Sequence, residues 1–274
     1  MDIRCGAMPR SGYPIFTFYH IEMEENTDNR IGLIPAAGRG IRLGLPYPKE
    51  LYPIIRDNRY KPVSQFVLEN LVAAGVEHIV FVINDRKSQL IGYFGDGSRF
   101  NCRLSYVVQE PAFEGESTSP GLANALDSAY HLTRGKTVLF GMADTIMRPE
   151  DIFLQGLARL EAGEAGDAGV LCLFPTRNPE KFGMVRQADG RAVEIVDKPR
   201  STDLTHMWGC IIWQPEFTEH LHRCRQDGVG DFAEILNRAI RAGLVFRGLP
   251  MNEGEYLDLG TYEEIMELDR RLRD

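Results

Sequence analysis

The chain alternates between short apolar runs and segments with helical spacing. Ile31 to Ile34, His78 to Ile83, Cys102 to Val108, Thr137 to Thr145 and Ala168 to Phe174 are runs the size of buried strands. Between them Val63, Phe66, Val67, Leu71 and Ala74 recur at helical spacing, with Pro62 as the expected first helical residue and Gly75 as the stop. Arg86 to Phe94 and Ile152 to Ala162 read as further helices, and Gly121-Leu-Ala-Asn-Ala-Leu126 opens another. Strands alternating with helices indicate an α/β fold around a mainly parallel sheet. Ligands of such sheets sit beyond the carboxyl ends of the strands. From Pro179 the rhythm shortens. Phe182 to Val185, Ala192 to Val196 and Met207 to Trp213 read as turn-linked strands, an added antiparallel part. Helices over Pro215 to Cys224 and Asp231 to Ala242 and short strands at Leu244 to Gly248 and Glu255 to Leu257 follow. In the last helix Thr261 and Glu264 form a capping box, and Ile265, Leu268 and Leu272 an apolar stripe. Residues 1–29 break the pattern: Tyr13 to Tyr19 is strand-like and Glu22 to Asn29 polar, so they are read as an N-terminal extension to a domain of residues 30–274.

Composition narrows the class. With 274 residues, 43% of them hydrophobic, the chain can bury a sizeable core. A net charge of −8 argues against a nucleic-acid polymer as partner, so an anionic ligand must be gripped by local cations. No apolar run is long enough to span a membrane, and no secretory pattern opens the sequence. Cys5, Cys102, Cys172, Cys210 and Cys224 are scattered and read as free thiols of a reducing compartment, with the cytoplasm as the default. No histidine has metal-ligand spacing. His220 and His222 fall on different faces of their helix and read as structural or exposed.

The cations are concentrated after the first strand. The loop that follows Ile34 holds Ala36, Ala37, Gly38, Arg39, Gly40, Arg42 and Gly44 and ends on Pro48-Lys49. Glycines admit positive φ and close approach of a ligand. Successive N–H groups make an anion-binding concavity, and guanidinium matches phosphate oxygens in pairs. The loop therefore reads as a triphosphate cradle. Asp144, at the carboxyl end of its strand and facing that loop, is a natural Mg²⁺ ligand. A dinucleotide site would need a third glycine where Leu43 stands, and would leave Arg42 and Lys49 without a role.

These residues, with Gln109, Phe182-Gly-Met-Val, Asp197-Lys-Pro, Trp208-Gly-Cys, Gly230-Asp-Phe-Ala-Glu-Ile and Tyr256-Leu-Asp-Leu-Gly-Thr, occur in the order found in sugar-1-phosphate nucleotidyltransferases. The chain resembles glucose-1-phosphate thymidylyltransferases and UTP–glucose-1-phosphate uridylyltransferases over residues 30–274. The resemblance implies a three-layer, Rossmann-like nucleotidyltransferase fold: a mixed, mainly parallel central sheet with a smaller antiparallel substrate-binding part. It also implies transfer of a nucleoside monophosphate from an NTP, dTTP or UTP, to a sugar-1-phosphate, glucose-1-phosphate foremost, with release of pyrophosphate. Within it Arg42 and Lys49 are catalytic, and Ala36, Ala37, Gly38, Arg39, Gly40, Gln109 and Gly121 bind the nucleotide. Gly183, Asp197 and Lys198 bind the sugar phosphate, and Asp144 and Asp258 hold Mg²⁺. Members of the family are often homo-oligomers. The chain departs from the family in having Ile41 for Thr, Asp197 for Glu and a short span from Arg42 to Lys49. That span looks more like cytidylyltransferases acting on other phosphorylated alcohols, which is the alternative reading. A non-catalytic sensing domain is a second alternative, and it would be expected to lose Arg42, Lys49 or the two acids.

Overall fold

The structure is a computed structural model and describes residues 29–40, 43–56, 59–109, 121–164 and 166–273. In chain order, β1 (Arg30–Pro35) leads through a loop and a tight turn, Lys49–Leu51, into a hairpin of β2 (Pro53–Arg56) and β3 (Arg59–Pro62), then α1 (Val63–Ala73). Next come β4 (His78–Ile83), α2 (Ser88–Phe94), β5 (Arg103–Val108), α3 (Gly121–Ser128), the short α4 (Tyr130–Thr133), β6 (Thr137–Gly141), β7 (Thr145–Arg148), α5 (Ile152–Glu161) and β8 (Asp167–Pro175). The remainder is β9 (Gly183–Ala188), β10 (Arg191–Asp197), β11 (His206–Trp213), α6 (Pro215–Gln226), α7 (Phe232–Arg241), β12 (Val245–Pro250), β13 (Glu255–Asp258) and α8 (Tyr262–Arg273).

Nine strands join in one sheet, ordered β5-β4-β1-β6-β11-β8-β12-β10-β9. The first four run parallel, and β12 runs parallel to β8. β11 is antiparallel to both β6 and β8, and β10 to both β12 and β9. Seven of the nine strands run in one direction and β10 and β11 in the other, so the sheet is mixed and, by strand direction, mainly parallel, as expected. The antiparallel part is the far edge of that same sheet. Met207 of β11 also pairs with Met184 of β9, so this half of the sheet curls back on itself.

Strand alternation builds a core on each face, because successive side chains point to opposite sides. Ile79, Phe81 and Ile83 of β4 pack with α1, α2 and α5 through Val67, Leu71, Leu90, Phe94 and Phe153. Val80 and Val82 of the same strand join Ile31, Leu33, Leu126, Phe217, Leu221 and Leu236 on the other face, under α3, α6 and α7. Both faces are therefore covered, giving three layers. Each side chain so buried contributes about 1.5–3 kcal/mol. A third, smaller cluster of Leu43, Ile54, Val63, Ile146, Leu259, Ile265 and Leu268 joins the β2–β3 hairpin to β7, β13 and α8.

The sequence pattern and the structure differ in four places. The run Thr137 to Thr145 is two strands: β6 stays between β1 and β11, then the chain turns at Met142 and β7 pairs with β13. Thr145 Oγ1 closes that turn on the Met142 carbonyl at 3.1 Å. A continuous apolar run does not reveal that its halves have different partners. Pro62 ends β3 in extended conformation (φ −68°, ψ 149°) and helix α1 starts one residue later. The β2–β3 hairpin was not apparent in the pattern, because Arg56, Arg59 and Lys61 break its apolar alternation. The capping box of α8 forms in part: Glu264 N–H donates to Thr261 Oγ1 at 3.3 Å, but the Glu264 carboxylate accepts from Gly260 N–H at 2.9 Å. Cys102, Cys172, Cys210 and Cys224 are free and buried, matching the free-thiol reading for the described cysteines. Among the described residues no helix is long and apolar enough to cross a membrane. The expected N-terminal extension lies outside the described residues, apart from Asn29.

Candidate active site

The first wall is the loop after β1. Ala36 N–H donates to the Val82 carbonyl at 2.7 Å, carrying the β1–β4 ladder one residue beyond the strand. Asn84 Nδ2 then donates to the Ala37 carbonyl at 2.8 Å. The start of the loop is therefore anchored to the end of β4. Beyond it, a Cβ at Gly38 or Gly40 would meet nothing, Gly40 takes φ +63°, and Arg39 is exposed. An exposed, glycine-bearing backbone is what close approach of a phosphate needs. Arg42 and Ile41 lie outside the described residues.

Lys49 and the two acids form the second wall. Lys49 opens the Lys49–Leu51 turn, and its ammonium is ion-paired and hydrogen-bonded to Asp144 Oδ2. Asp258 is brought close by the β7–β13 ladder: it pairs with Thr145, and Leu259 N–H donates to the Asp144 carbonyl at 3.0 Å. Two acids more than a hundred residues apart thus become neighbours. Burial opposes the charge of Lys49, yet the carboxylates of Asp144, Glu50 and Asp258 together outweigh it and raise its pKa. Lys49 is therefore a firm cation beside two carboxylates. Among the described residues no group of three His, Cys, Asp or Glu side chains could hold a metal. Two carboxylates alone suit a hard cation such as Mg²⁺, which completes its octahedron with water and substrate phosphate oxygens.

The third wall is the β9–β10 hairpin. Gly183 pairs with Asp197 across it, and Lys198 N–H donates to the Phe182 carbonyl at 3.0 Å, so Gly183, Asp197 and Lys198 are assembled together. Lys198 adopts φ +45°, a left-handed conformation that costs a lysine energy. Its ammonium lies 3.8 Å from the Asp197 carboxylate, and both side chains reach solvent. The hairpin is tied towards Asp258. Phe182 packs edge-on against Tyr256 of β13 with centroids 5.8 Å apart, and Lys181 pairs at 2.8 Å with Glu264, the residue that caps Gly260. A Cβ on Gly183 would lie 2.3 Å from Trp208 Nε1, so only glycine fits there.

Gln109 and Gly121 flank the segment 110–120, which lies outside the described residues. Gln109 is buried and its N–H continues the β4–β5 ladder by donating to the Ile83 carbonyl at 2.8 Å. Gly121 has φ +76°, and its Cβ position faces the Gly230 carbonyl at 3.7 Å, next to Asp231, the N-cap of α7. Glu234 is a helix-face charge paired with Arg238 and Arg241.

Sequence reasoning missed three groups. Asn84, just beyond β4, fixes the glycine loop through its side-chain amide. Glu50 and Lys87 form an ion pair, 2% and 4% exposed, directly behind Lys49. Burial pushes the Glu50 carboxyl up and the Lys87 ammonium down, in each case against the attraction of the partner. No local signal marks this burial: Glu50 follows Lys49 in the Lys49–Leu51 turn, and Lys87 lies between Asp85-Arg86 and Ser88-Gln89.

The nucleotidyl transferase family model matches residues 31–274. The chain is 26% identical over 87% of its length to a glucose-1-phosphate thymidylyltransferase of Streptomyces griseus, of which it spans 64%. It is 25% identical over 83% of its length to a UTP–glucose-1-phosphate uridylyltransferase of Synechocystis sp. (strain ATCC 27184 / PCC 6803 / Kazusa), spanning 59% of it. Its fold is similar to that of a UDP-glucose pyrophosphorylase solved with UDP-glucose, with a TM-score of 0.70 at 20% identity over 89% of this chain and 98% of that one. The order of the motifs, the assembled strand ends and the family match agree: the chain belongs to the nucleotidyl transferase family.

Proposed function

We propose that the protein transfers a nucleoside monophosphate from an NTP to a sugar-1-phosphate and releases pyrophosphate. The observation that carries this reading is the Lys49–Asp144 ion pair with Asp258 beside it, at the carboxyl ends of β1 and β6. In the reaction an oxygen of the sugar phosphate attacks the α-phosphorus, the bond from that phosphorus to the β-phosphate oxygen breaks, and pyrophosphate leaves with the electron pair. The nucleophile is already anionic, so no strong base is required. Alignment and charge neutralisation set the rate. Asp144 and Asp258 would hold Mg²⁺, which when bound screens the repulsion between the two phosphate groups. Residues 36–40 would cradle the triphosphate, with Arg42 on the leaving pyrophosphate and Lys49 on the α-phosphate. Lys198 would hold the sugar phosphate, Asp197 the sugar hydroxyls, and the Gly183 backbone the ring. Gln109 and Gly121 would read the base. The names of the relatives support dTTP or UTP with glucose-1-phosphate as the substrate pair. The short span from Arg42 to Lys49 supports testing CTP and other phosphorylated alcohols beside it.

The test is pyrophosphate release over a grid of NTPs and sugar-1-phosphates with Mg²⁺, repeated with Asp144→Asn. Turnover by one pair is expected, with a loss of about 10²-fold or more in the variant, which should still fold although Lys49 loses its charged partner. Binding without turnover by any pair would favour a sensing domain. A variant as active as the parent would remove Asp144 from the metal site.

A further inference from the structure

Neighbouring residues of one turn enter two separate ion pairs, Lys49 with Asp144 and Glu50 with Lys87. The second pair is the more deeply buried, and Glu50 Oε2 has no hydrogen-bond partner among the described residues. Burying two charges carries a desolvation cost that attraction repays only in good geometry, and a well-packed apolar pair often serves stability as well or better. Stability alone is therefore a poor account of this pair, and its position offers a better one. The turn carrying Glu50 is held by Ser64 Oγ, which donates to the Glu50 carbonyl at 2.7 Å, and by Tyr52 N–H, which donates to the Lys49 carbonyl at 2.9 Å. Lys87 N–H donates to the Asn84 carbonyl at 3.1 Å, and Asn84 holds Ala37 of the glycine loop. The Glu50–Lys87 bond thus joins the segment that presents Lys49 to the segment that fixes the loop after β1.

We infer that Glu50 and Lys87 are a positioning pair that sets Lys49 against the glycine loop, so that its ammonium meets the phosphate at which charge develops. The proposal rests on the nucleotidyl-transfer reading. Neither residue touches substrate; both act through Lys49. Because misplacement by about 1 Å costs about 10²-fold in rate, losing the pair lowers kcat rather than substrate affinity.

The test is the double variant Glu50→Met/Lys87→Met, which replaces both charges by unbranched apolar side chains and leaves no buried polar group unpaired. It is expected to fold with a melting temperature close to that of the parent and to keep each KM within about two-fold, while kcat falls about 10–100-fold. Its crystal structure, compared with that of the parent, should show the Lys49 ammonium displaced by about 1 Å or more. A folded double variant with parental kcat, or with Lys49 unmoved, overturns the proposal. Should the double variant not fold, Glu50→Asp keeps the charge and shortens the arm by one methylene; kcat should again fall at constant KM, and a parental kcat overturns the proposal. If the parent turns over no substrate pair, the nucleotidyl-transfer reading fails, and the two crystal structures still decide whether the pair places Lys49.

Discussion

Gly183→Ala is the sharpest single perturbation of this site. The added Cβ would stand 2.3 Å from Trp208 Nε1, 3.1 Å from its Cδ1 and 3.3 Å from its Cε2. The first distance is about 1 Å inside ordinary van der Waals contact. The indole has little room to yield, because Phe232 packs edge-on against it at 5.7 Å and Phe140 tilts against it at 6.0 Å. The glycine is equally confined, since β9 holds it opposite Asp197. Overpacking of this kind costs about 1–3 kcal/mol. In a chain of this length that lowers the melting temperature by about 2–12 °C, at about 2–4 °C per kcal/mol. The assay is a double-mutant cycle by urea denaturation over the parent, Gly183→Ala, Trp208→Ala and both together. With the indole gone the new methyl group has space, so Gly183→Ala should cost almost nothing in the Trp208→Ala background. The coupling should then equal the single-variant cost, about 1–3 kcal/mol. Equal costs in the two backgrounds would refute the steric argument, and so would an undamaged single variant.

Two further outcomes follow from individual contacts. Asn84→Ala removes the side-chain donor on Ala37, a bond worth about 0.5–1.5 kcal/mol, and should weaken NTP binding by a few-fold in calorimetry with only a small loss of stability; unchanged affinity would detach Asn84 from the loop. His78 and His220 have pKa values held below the usual 6.5, chiefly by burial and then by nearby Arg103 and Lys136 for His78 and Arg223 for His220. Below pH 6.5 the unfolded chain therefore binds protons that the folded chain resists, so this stability is complete above that value and is lost as the pH falls from it through the lower pKa of the folded chain. The urea midpoint should drop between about pH 7.5 and about pH 5.5, less steeply in a His78→Gln/His220→Gln variant; a midpoint that rose on acidification would contradict the sign.

The parallel half of the fold could be read from the chain because burial there obeys a simple rule. Strands covered on both faces are apolar throughout, and β1, β4 and β6 each appear as such a run. The rule fails where pairing changes partner without changing polarity. Phe140 and Ile146 look alike in sequence, but Phe140 belongs to the large core on one face of the central sheet and Ile146 to the small cluster beneath β13. Nothing local marks Met142 to Asp144 as the point where the chain leaves one sheet for another. That exit is what points Asp144 at Lys49 and sets it beside Asp258, so the geometry of the acids depends on a break that the pattern hides.

The candidate site was legible to the extent that its chemistry is unusual for its surroundings. Glycines with arginines after a strand, a lysine after a proline and acids at strand ends all stand out against an apolar background, and the structure gathers Lys49, Asp144 and Asp258 at one place. Glu50 and Lys87 do not stand out, because a charge beside a turn or at the start of a helix is ordinary in an exposed setting. Their significance comes from burial, and burial is a property of the whole fold. Lys87 precedes the two turns of α2, whose Leu90 and Phe94 face the core, so the lysine is drawn in with the helix that it caps. Glu50 sits between Lys49 and Leu51 in a turn pressed against α1. Each charge is tolerated only because the other is present. A pairing across 37 residues leaves no periodicity in the sequence, and only the packing of α1 and α2 on one face of the sheet brings it about.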